Sequence, residues 1–83
     1  MQTELTTAYR TYSLYGAAFL VAHDFPLIDA VRDASGRVQF EIGGDETEIH
    51  ERLREYRVGT ALVNAARFGD ALRRLKGLIH GTD

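Results

Sequence analysis

The sequence predicts a small α+β fold: an antiparallel or mixed sheet of three strands with three helices, in the order β-α-β-β-α-(β)-α, the fourth strand present if residues 60–63 are extended. Three observations predict it. Arg37-Val38-Gln39-Phe40-Glu41-Ile42 alternates polar and apolar residues, the period of a strand with one wet face. From Ala65 to Ile79 the apolar positions recur with helical period: Phe68, Ala71, Leu72, Leu75, Leu78 and Ile79 fall in one sector, and Arg67, Asp70, Arg73, Arg74, Lys76 and His80 take the rest. Leu14 to His23 is apolar nearly all round, which calls for a helix buried on several sides, in a core or in an interface. The chain of 83 residues reads as one domain, 1–83, with polar residues 1–6 expected to fray.

Taken in order, Ala8 to Ser13 is rich in aromatic and β-branched residues and reads as a strand. Tyr9 and Thr11 share one face, Arg10 and Tyr12 the other. Large residues on both faces suit the inside of a sheet, or a strand that offers tyrosines to a partner. Ser13 is a helix N-cap, and Gly16, Ala17, Ala18 and Ala22 admit a close neighbour along the helix that follows. His23-Asp24 ends it, because Pro26 cannot continue a helix and disfavours helical geometry at Phe25. Leu27 to Arg32 is the next strand. At Asp33-Ala34-Ser35-Gly36-Arg37 the aspartate opens a type I turn and the glycine takes the positive φ of a bulge, closing a hairpin. The helices are expected on the face of Val38, Phe40 and Ile42.

Gly43-Gly44 breaks the strand. Asp45 then caps a helix, with Glu48 at the third position of a variant capping box. The helix runs to about Arg57 with Ile49, Leu53 and Tyr56 as its apolar stripe, Glu48–Arg52 and Glu51–Arg54 as expected surface pairs, and Gly59 as its end. Asn64 caps the last helix and Gly81 closes it.

Composition excludes several classes. Without cysteine there is no disulfide framework, thiolate metal site or thiol nucleophile, which fits a reducing interior; the cytoplasm is the expected location. The longest apolar run, Gly16 to Ala22, is far short of a membrane span, and Met1 to Leu5 has no basic secretory n-region. Of the three histidines, His23 adjoins Asp24 and His50 follows Glu46 by four, but neither pair has zinc spacing. Asp29, Asp33 and Glu41 read as a solvated strand face, and Ser13 and Ser35 as a cap and a turn residue. Gly43-Gly44-Asp45 lacks the Gly-Lys-Ser/Thr of a phosphate loop, and its acidic neighbours repel phosphate. No catalytic, cofactor or metal residue is assigned, and enzyme activity is not expected.

Two surfaces stand out instead. Tyr9, Tyr12, Tyr15 and Phe19 form a candidate contact surface for a second copy or another protein, since tyrosine combines contact area with a polar handle. Residues 64–83 carry four Lys/Arg against two Asp/Glu in a chain of net charge −2. Arg67, Arg73, Arg74 and Lys76 therefore make a candidate nucleic-acid or acidic-partner face, interrupted by Asp70.

The aromatic strand and small apolar helix from Tyr9 to His23, the hairpin ending in Val38-Gln39-Phe40, the Leu53-x-x-Tyr56-x-x-Gly59 spacing, and Val63, Phe68, Leu72, Leu75-Lys76 and Ile79 together resemble a family of small uncharacterised domains of bacteria, phages and other mobile elements. The resemblance implies an accessory or regulatory role and carries no catalytic residues. The functional expectation is a non-enzymatic interaction module that self-associates, with a nucleic-acid accessory protein as the alternative. A chain of this size gains stability by pairing.

Overall fold

Strand β3 (Val38–Ile42) is the centre of the sheet in the computed structural model, which describes residues 8–59 and 61–81. On one side it pairs with β1 (Tyr9–Thr11), on the other with β2 (Leu27–Arg32), both antiparallel, in the order β1-β3-β2. The two outer strands therefore run parallel to each other with β3 between them. The alternation read from the sequence decides the layers: Val38, Phe40 and Ile42 are buried under the helices, while Gln39 and Glu41 point the other way. The turn before β3 is as expected. The N–H of Gly36 donates to the Asp33 carbonyl at 3.0 Å, and Gly36 has φ +91°.

The helices are α1 (Leu14–Ala22), α2 (Glu46–Val58) and α3 (Ala65–Ile79). Each begins where a side chain takes the first free N–H: Ser13 accepts from Gly16, Asp45 from Glu48 and Asn64 from Arg67, each at 3.0 Å. The end of α1 is unusual. The N–H of Asp24 donates to the Val21 carbonyl and that of Phe25 to Leu20, the Schellman arrangement, with Asp24 at φ +73° where glycine is the usual residue. Gly44, at φ +139°, lies so close to Phe25 that a Cβ there would stand 2.7 Å from the ring.

Helix α1 lies at the hub, which explains its all-round apolar composition. It packs against the sheet and against both other helices. Ala17, Ala18, Phe19 and Leu20 are buried together with Phe40, Ile42, Ile49, Leu53, Ala71 and Leu75. The domain thus covers this helix itself, and of the two settings expected for it, core or interface, the core is the one observed.

Two open alternatives are decided and one expected ion pair changes. β1 is an edge strand, not an interior one, because the hairpin return places β3 between it and β2. Residues 61–64 have no regular structure, so there is no fourth strand among the described residues; position 60 and the expected fraying of residues 1–6 lie outside them. On α2, Arg52 turns to Glu55 at 3.2 Å instead of Glu48. The C-terminal end of α3 is held by the hairpin: the Arg32 guanidinium donates to the carbonyls of Gly36 and Ile79.

Candidate functional site

Among the described residues, no element packs on the face of the sheet turned away from the helices. Its rungs follow from the pairing register. Arg10 stands opposite Glu41, and Glu41 opposite Asp29 on the far side; the next rung pairs Gln39 with Val31. Directly opposed residues share a face, and the Arg10 guanidinium accordingly meets the Glu41 carboxylate at 3.2 Å. Tyr12, one step past β1, reaches across the closed end of the hairpin. Its hydroxyl donates to Asp33 at 2.8 Å, and the Arg37 guanidinium lies 4.0 Å above its ring.

Apolar groups lie among these charges. Ile28 is 53% exposed, Val31 43% and Tyr12 39%. The β-bulge between Leu27 and Asp29 puts two residues where one would alternate. The adjacent pair Leu27-Ile28 is the sequence signal for this patch, and it is obscured because the bulge breaks the alternation of β2. The bulge also disturbs the free edge of β2. There the N–H of Ala30 donates to the Asp29 carboxylate at 2.8 Å, so a local side chain takes a group that another strand would need.

Asp33 is the most heavily bonded group on this face. It accepts from the Ser35 hydroxyl at 2.7 Å, from Tyr12, and from the N–H groups of Ser35 and Arg37. These bonds favour the carboxylate, the Ser35 hydroxyl most and Tyr12 next, and hold its pKa down to about 2. The same Tyr12–Asp33 bond, with the neighbouring negative charge, raises the tyrosine above its ordinary value.

The structure separates the residues proposed as a contact surface. Tyr12 lies on the open face and Tyr15 is exposed in the first turn of α1. Tyr9 turns to the helical side, where its ring meets His50 edge-on at 5.6 Å. Phe19 is 1% exposed, stacked between His23 and Tyr56; it is a core residue, and its assignment to an interface is corrected. The helical period of α1 could not say which of its apolar faces meets the rest of the chain.

The basic residues of α3 are partly neutralised. Arg67 pairs with Asp24 and Arg73 with Asp70, while Arg74 and Lys76 meet no carboxylate among the described residues. Arg67 also borders a cleft of about 330 Å³ with Ala22, His23, Asp24, Leu62, Val63 and Asn64. Two of the polar groups there are committed, Asp24 to Arg67 and the Asn64 side chain to the α3 N-terminus; His23 meets Phe19 edge-on, and its Nε2 is buried without a hydrogen-bond partner among the described residues. Glu46 lies 3.6 Å from His50, and no third ligand joins them: no group of three His, Cys, Asp or Glu among the described residues could hold a metal ion. Among the described residues no helix is long and apolar enough to cross a membrane.

Comparison with known proteins finds no matching family model, curated protein or solved structure, so the resemblance to small bacterial and phage domains rests on the pattern of residues alone.

Proposed function

We propose that this domain is a non-enzymatic protein-interaction or regulatory accessory module, and that it associates with itself through the open face of its sheet. The observation that carries this reading is the one-sided layering. Helix α1 packs on the sheet and α2 and α3 complete the same buried cluster with Val38, Phe40 and Ile42, while the opposite face leaves Tyr12, Ile28 and Val31 exposed among charges of both signs. An antiparallel sheet tolerates one solvated face, but that face is ordinarily polar. Exposed apolar groups set among charged ones are the composition of a contact surface. A domain of this size also has little stability to spare, and association adds to it. The absence of cysteine supports a reducing compartment, the cytoplasm, as the place of action.

The alternative, nucleic-acid binding through Arg67, Arg73, Arg74 and Lys76, has less support, since Asp24 and Asp70 already offset two of these charges. Light scattering over a concentration series tests the reading. The expected result is a mass that rises with concentration in the wild-type chain and stays monomeric in Val31→Asp, with unchanged circular dichroism. A wild-type chain that remains monomeric throughout overturns it.

A further inference from the structure

The charges on the open face also say how two copies would meet, an inference that rests on the self-association just proposed. The row along β1 is basic through Arg10, and the row along β2 is acidic through Asp29 and through Asp33 at its end; β3 between them carries Glu41 and Arg37. Two sheets packed face to face as an aligned sandwich have two simple choices of in-plane two-fold axis. An axis running across the strands stacks β2 on the partner's β2, acid over acid. An axis running along β3 stacks β1 on the partner's β2 and keeps the rungs in step. Arg10 then faces the partner's Asp29, because both belong to the rung of Glu41.

The geometry points to a two-fold dimer about an axis along β3, with Arg10 of each copy bound to the partner's Asp29. Every contact occurs twice. The axis also sets Glu41 against its counterpart and Arg37 against its own, and both charges are already covered within each copy, Glu41 by Arg10 and Arg37 by the Tyr12 ring. The alternative of joining β2 edges is opposed by the bulge and by the Asp29 carboxylate on the Ala30 N–H. Three strands about 4.8 Å apart and five residues about 3.3 Å apart give roughly 250 Å² of flat face. That is small beside the roughly 800 Å² per partner of a standard interface, so the dimer is weak, dissociates on dilution and weakens with salt.

Charge exchange tests this. Arg10→Glu faces acid with acid, and Asp29→Arg faces base with base, so each variant alone is expected to dimerise at least about tenfold more weakly than wild type. An equimolar mixture of the two restores both ion pairs in a heterodimer. Sedimentation velocity on each variant and on the mixture, with circular dichroism to verify folding, reads the outcome. Recovery of wild-type affinity in the mixture supports the dimer. Loss in both variants without recovery overturns this geometry, and a Val31→Asp chain that is monomeric in the same experiment leaves self-association through the sheet standing. A wild-type chain that sediments as a monomer at every concentration overturns both.

Discussion

Asp33 does two jobs with one carboxylate: it closes the hairpin turn and it anchors Tyr12 over the open face. Its pKa, held down to about 2 in the folded chain, lies below the roughly 3.9 of an unfolded aspartate. A depressed carboxylate stabilises the fold at pH above its unfolded value and loses that contribution as pH falls through its folded value. The window is therefore about pH 4 down to about pH 2. Thermal melts across it should show the wild-type melting temperature falling more steeply than that of Asp33→Asn; parallel curves would mean that the cluster is not coupled to folding. Tyr12 works at the other end. Its raised pKa gives a contribution present below about pH 10 and lost as pH rises through the folded value. The Tyr12 shift was not legible in the spacing of residues, since Tyr12 and Asp33 are 21 positions apart, whereas the Ser35 bond that acts most on Asp33 lies within the turn.

At the scale of elements, α1 shows the difference between a local and a tertiary signal. Its boundaries were legible: Ser13 caps it as expected, and His23-Asp24 ends it before Pro26. Its composition admitted either a core or an interface, and packing against the sheet, α2 and α3 made it the core. The Schellman end leaves a cost, because a residue with a Cβ at positive φ is strained where glycine is not. Asp24→Gly should therefore stabilise the chain by roughly 0.5–1 kcal/mol, given that the exposed Arg67 pair it forfeits is worth little. Urea unfolding measures this. A lower midpoint in the variant would mean that the aspartate side chain contributes more than the strain it causes.

For the whole molecule, stability is small and concentrated. A chain of 83 residues has an unfolding free energy of about 4–12 kcal/mol by general scaling. Phe19 is fully buried in the core where α1 meets Tyr56 of α2, and truncating a buried phenylalanine costs about 3–5 kcal/mol. Phe19→Ala should thus lose a large share of the stability and melt well below wild type by circular dichroism, whereas Val31→Asp, on the open face, should melt close to it; an unchanged melting temperature in Phe19→Ala would show that the core rests elsewhere. The contrast separates folding from association, which a substitution in α1 could not do.

By itself the sequence determined the six elements, their three N-caps, the hairpin turn and the buried face of β3. These depend on groups within about four residues of one another, where a cap, a turn glycine or a period of 2 or 3.6 leaves a local trace. Tertiary structure alone decided that β1 lies at the edge, that α1 is covered within the domain, that Asp24 meets Arg67 across 43 positions, and that Tyr12, Ile28 and Val31 are exposed. Such contacts join segments distant in the chain, and their energy comes from which faces are left to bury once every element has formed, a quantity that no short stretch of sequence carries.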